Sequence, residues 1–101
     1  MNSQYDVVVW YKLNRSQADL PSQIIARVGR EPDEAFEAEV FGDLHWNFET
    51  SKAAIKSAES LFEFAALDDV VRLVVNNYGD EDFERKVYKD TTGIPAAGKM
   101  D

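Results

Sequence analysis

An α+β fold is predicted for this 101-residue chain by two neighbouring patterns and by the alternation that surrounds them. From Thr50 to Leu67, apolar residues recur at helical spacing. Stepped at 100° per residue, Ala54, Ile55, Ala58, Leu61, Phe62 and Ala65 share an arc of about 120°, with Lys52, Lys56, Glu59 and Glu63 outside it. Directly after comes Val70 to Val75, almost all β-branched or Leu with only Arg72 as an interruption, which suits a central strand buried on both faces. Elsewhere, short runs alternate apolar and polar residues at the period of strands.

Tyr5 to Leu13, rich in Val and aromatics and free of breakers, reads as a first strand. Asn14 to Asp19 is polar and turn-like. Residues Leu20 to Arg30 carry both signals: Leu20, Ile24, Ile25 and Val28 fit a helix, while Ile24, Ala26 and Val28 alternate as in a strand. Punctuation favours the helix, because Pro21 suits a first turn, Asp19 can cap it and Gly29 stands where a left-handed residue ends it. Phe36, Ala38 and Val40 then alternate with Glu37 and Glu39, Phe41-Gly42-Asp43 turns the chain, and Leu44, Trp46 and Phe48 alternate with His45 and Asn47. This is the pattern of a hairpin. After the second helix, capped by Thr50 or Ser51, and its strand come an acidic turn over residues 77–82 and a last strand, Phe83 to Asp90, whose Arg85, Lys86 and Lys89 suit a sheet edge.

The order β-α-β-β-α-β plus a C-terminal edge strand resembles the ferredoxin-like arrangement, an antiparallel sheet with helices on one face. If Ile24 to Arg30 is a strand instead, the result is a five-stranded antiparallel sheet with a single helix. Either way, residues 1–90 are expected to form one domain and 91–101, with two Gly, a Pro and no periodicity, a mobile tail. The topology carries no activity with it, since this arrangement hosts unrelated functions.

Composition narrows the function classes. A net charge of −8 repels phosphate backbones and anionic membranes, so no nucleic-acid or membrane partner is expected. The absence of cysteine excludes thiolate metal sites and cysteine nucleophiles and fits a reducing, cytoplasmic setting. No apolar run is long enough to span a bilayer. One histidine and carboxylates without calcium-loop spacing give no metal site, and the isolated glycines form no phosphate-binding motif, so no cofactor is expected.

The residues that stand out are Trp10, His45, Trp46, Phe48 and Phe64. His45 is the one side chain that ordinarily titrates near neutrality, but only Asp43 or Glu49 is near enough in sequence to orient it as a base. Trp10, Trp46 and Phe48 are large aromatics on strands, which more often form core or interface than a ligand pocket. Phe64 lies outside the apolar arc, as a residue covered by a subunit contact would. Six carboxylates and no base occupy Glu31 to Asp43. The expected function is therefore a non-enzymatic, homodimeric association module, joined through a sheet face or a helix flank. The alternatives are a small-molecule binder or small enzyme with an aromatic pocket near Trp10, Trp46 and His45, and an acidic inhibitor of a basic protein.

Overall fold

The computed structural model describes residues 5–77 and 83–92. Residues 78–82 of the expected acidic turn and 93–101 of the expected tail lie outside them. The described residues form an α+β structure with a five-stranded antiparallel sheet: β1 (Tyr5–Lys12), α1 (Leu20–Val28), β2 (Glu34–Glu37), β3 (Phe41–Phe48), α2 (Ser51–Glu59), α3 (Phe62–Ala65), β4 (Val70–Asn77) and β5 (Lys86–Asp90). Across the sheet the strands run β2-β3-β1-β4-β5, so β1 is central and β2 and β5 are edges. No helix among the described residues is long and apolar enough to cross a membrane.

Local chemistry settles the ambiguous stretch in favour of a helix. Pro21 sits in the first turn of α1, and Gly29 ends it at φ 93°, a left-handed conformation that costs a glycine little, with its N–H bonded to the Ile25 carbonyl. Asp19 occupies the N-cap position without capping: its carboxylate accepts from the Gln23 side chain instead. Thr50 does cap α2, its hydroxyl accepting from the Ala53 N–H.

Alternation along β1 divides the interior in two. Tyr5, Val7, Val9 and Tyr11 face the helices and pack with Leu20, Ile24, Leu44, Trp46, Ala54, Ala58, Leu61 and Leu73. Val8 and Trp10 face the other way and form a second cluster with Val71 and Val74, against which Phe41 packs. All three helices send their buried residues into the first cluster, so they occupy one face of the sheet. The far face is nevertheless not an open apolar surface, because Val8, Trp10, Val71 and Val74 are all buried. β4 is buried on both faces as its composition predicts, with a bulge near Val71 that places Val70 toward the helices and Arg72 opposite Trp10.

Three boundaries differ from the sequence reading, one of them being the start of β5 at Lys86 and not Phe83. The continuous helix expected over 50–67 is broken: Ser60 ends α2, its hydroxyl donating to the Ser57 carbonyl, and Leu61 bonds back three residues to Ala58. The break rotates α3 relative to α2, burying Phe64 and exposing Phe62, the reverse of the unbroken helical wheel. The hairpin turn lies at 38–40 rather than 41–43, closed by the Ala38 N–H to Phe41 carbonyl bond. Gly42 is consequently inside β3, where the Tyr11 ring lies against it, and a Cβ there would come within 2.1 Å of that ring.

Tyr11 is buried and cannot swing away, so Gly42→Ala should destabilise the fold by about 1–3 kcal/mol through overpacking. Urea unfolding would measure this, and in a Tyr11→Leu background the same change should cost markedly less.

Candidate functional site

The far sheet face carries the chain's only histidine in a closed set of charges. Pairing of β1 with β3 sets Val8 opposite His45 and Asp6 opposite Asn47, so Asp6 is the diagonal neighbour of His45 on that face. His45 Nδ1 lies 2.9 Å from Asp6 Oδ2, and Nε2 lies 2.5 Å from Asp43 Oδ1. Both aspartates are buried, and His45 is largely so. A neutral imidazole has one donor and could satisfy only one of these carboxylates; two require the imidazolium. Burial alone would lower the His45 pKa, but the close contacts and charges of Asp43 and Asp6 outweigh it and raise the value to about 10. Glu34, paired with His45 across β2, adds a third carboxylate on the same side.

The neighbouring row across the sheet is Phe36, Asp43, Trp10, Arg72 and Asp90. The buried Arg72 guanidinium stands 4.7 Å over the Trp10 ring and its Nε is 3.3 Å from Asp90 Oδ2. Burial would raise the Asp90 pKa, but hydrogen bonds from Thr92 and the charges of Arg72 and Arg85 prevail and hold it below the usual carboxylate range. Arg72 and Asp90 compensate each other's charge, although Arg72 Nε is not hydrogen-bonded, whereas the two buried aspartates beside His45 share a single positive charge.

This arrangement leaves His45 without the chemistry of a base. With its pKa raised to about 10, His45 carries a proton on both ring nitrogens at neutral pH and has no lone pair to take one from a substrate; Nδ1 is hydrogen-bonded to Asp6, whereas Nε2 is held against Asp43 by charge without an aligned hydrogen bond. No group of three or more metal-ligating side chains is gathered among the described residues. Of the residues singled out in the sequence, Trp10 and His45 share the far face, whereas Trp46, Phe48 and Phe64 belong to the helix side. Trp46 is fully buried, its Nε1 donating to the Arg30 carbonyl. Phe48 and Phe64 are covered by the guanidinium groups of Arg30 and Arg27, at 4.6 and 5.0 Å. The structure does not bring Trp10, Trp46 and His45 together.

One open apolar surface lies at the edge where α3 meets β5. A shallow groove of about 330 Å³ is lined by Phe62, Ala65, Ala66, Tyr88 and Lys89. Phe62 is 48% exposed and Leu67, just past the end of α3, 43%. The Phe62 and Tyr88 rings meet at 5.2 Å, and Lys89 Nζ donates to the carbonyls of Ala65 and Leu67, fixing β5 to the end of α3. Burial and the charge of Glu59 push the Tyr88 phenol above its usual range, so it stays neutral. Sequence pattern missed this site because an unbroken helix would have turned Phe62 inward.

The His45 cluster generates a pH prediction. A folded pKa raised from 6.5 to about 10 contributes stability that is complete below pH 6.5 and is lost as pH rises through 10. Unfolding free energy should therefore fall between pH 7 and 10, and His45→Gln should flatten that slope. An imidazole NMR titration showing His45 neutral at pH 8 would contradict the assignment. No family model matches the chain, and comparison with curated proteins and solved structures gave no match.

Proposed function

We propose that this protein is a non-enzymatic, cytoplasmic association module of ferredoxin-like topology that forms a homodimer through the flank built by α3 and β5. The observation that carries the reading is the groove with Phe62 and Leu67 exposed at its side, because large apolar side chains gathered in one place on a small domain mark contact surfaces more often than scattered ones do. A two-fold contact there sets Phe62 and Leu67 of each copy against the small Ala65 and Ala66 of the other. The split order in which β3 separates β1 from β2, and β1 separates β3 from β4, supports the ferredoxin-like assignment, with β5 as the addition. An enzymatic reading has less support, since His45 has no free nitrogen and the three residues of the imagined pocket face opposite sides of the sheet.

Sedimentation velocity tests the proposal. Dimer is expected at about 100 µM, and Phe62→Asp together with Leu67→Asp should weaken association by more than about tenfold, because each places a charge in an apolar contact. Circular dichroism should show both variants folded with a modestly lowered unfolding midpoint, because each residue is still about half covered, Phe62 packs on Tyr88, and loss of the dimer removes its contribution. A strictly monomeric wild type at that concentration would sink the proposal.

A further inference from the structure

The other edge of the sheet differs from the α3–β5 flank in kind. Among the described residues β2 pairs only with β3, and all four of its residues, Glu34, Ala35, Phe36 and Glu37, are exposed. The bond from Ala38 N–H to the Phe41 carbonyl fixes the phase of the hairpin ladder, so the backbone of Phe36 points inward to β3 and that of Ala35 and Glu37 points outward. β2 thus offers outward donors and acceptors between two exposed apolar side chains, Phe36 at 58% and, beyond the strand, Val40 at 59%. Of the usual protections of an edge it has shortness and two carboxylates, which repel an acidic strand and leave a basic one free to pair. β2 contains no bulge in its pairing, no proline and no lysine. β5, by contrast, is bulged beside Val74 and carries lysines.

We propose that the outer edge of β2 is a docking site for an extended basic segment of a partner protein, added to the sheet as a sixth strand and reading basic, apolar, apolar, basic. The sequence of β2, Glu34-Ala35-Phe36-Glu37, dictates that complement: residues directly opposite share a face and interact, so cations belong opposite Glu34 and Glu37 and apolar side chains opposite Ala35 and Phe36. The pattern reads the same in both directions, and either strand polarity satisfies it. A second copy of β2 is disfavoured by charge: with Ala35 and Glu37 facing outward, a two-fold antiparallel pairing centred on Phe36 sets Glu37 against Ala35 and gathers Glu34 and Glu37 of both copies along one seam, where Glu31 and Glu39 add more negative charge. Lys86-Val87-Tyr88-Lys89 of β5 has the complementary pattern, but the bulge breaks its alternation and Lys89 is held by the Ala65 and Leu67 carbonyls.

The test uses the ¹⁵N-labelled full chain and a synthetic capped peptide containing Lys-Val-Val-Lys, with a Glu-Val-Val-Glu peptide as control. Saturable shifts at the Ala35 and Glu37 amides and slowed exchange of both are expected with the basic peptide alone. Reversing Glu34 and Glu37 to Lys should weaken binding by at least about tenfold, as two attractive cross-strand pairs become repulsive. Ala35→Pro removes one outward N–H and leaves every carboxylate in place, so it should weaken binding as well; undiminished binding would reduce the effect to unspecific charge attraction and overturn the proposal. Absence of saturable shifts at millimolar peptide would overturn it too, as would concentration-dependent shifts of the same amides without peptide, which would give the edge to a second copy. These readouts are independent of whether the α3–β5 flank dimerises.

Discussion

β1 is hydrogen-bonded on both sides and buried on both faces, and the placement of every other element depends on that constraint. A strand in this position needs a partner for each side chain in two directions. Toward the helices it has Val7, Val9 and Tyr11, which the small Ala54 and Ala58 of α2 allow the helix to approach closely. Away from them it has Asp6, Val8 and Trp10, a mixed set that demands both apolar cover and a counter-charge. The bulge in β4 answers the second demand, because it carries Arg72 to the face of Trp10 while leaving Val70 in the helix-side core.

The polar residues of that face are tied by ion contacts in which carboxylates outnumber cations. Asp6 and Asp43 share one imidazolium, and Arg72 is divided between the Trp10 ring and Asp90. A pair of this sort is costly to break, since removing one member leaves the other's charge buried without compensation. It also fixes strand register: a slip of one residue between β1 and β3 would carry Asp6 into the helix-side core and separate it from His45. The histidine that looked most like a catalytic group is thus better understood as the ion that specifies how two strands meet.

Much of this fold can be read from residues whose signals are local. The strands β1 and β4 announce themselves through unbroken Val runs, and Pro21 with Gly29 brackets α1 at both ends. Signals that depend on distant partners are not legible in the same way. Gly42 resembles a turn glycine until the Tyr11 ring is seen lying on it, and Phe64 looks misplaced until the break after Glu59 rotates it inward under Arg27. The partnership of His45 with Asp6 spans 39 residues, and only the β1–β3 register reveals it. Asp43 could be named from spacing alone; Asp6 could not.

Charge distribution explains how two contact surfaces can coexist on one small acidic molecule. A net charge of −8 opposes self-association in general, yet its effect depends on where the charges lie. The Glu31 to Asp43 stretch is centred on one edge of the sheet, and the groove between α3 and β5 lies at the other. Four strand spacings separate the edges, roughly 19 Å, which exceeds twice the Debye length of about 8 Å at physiological salt. Repulsion from the acidic edge is therefore strongly screened at the groove, where Lys86 and Lys89 supply local positive charge. The same screening confines the attraction of the acidic edge to segments already close to β2, so the carboxylates select what lies along that strand without preventing contact at the opposite end.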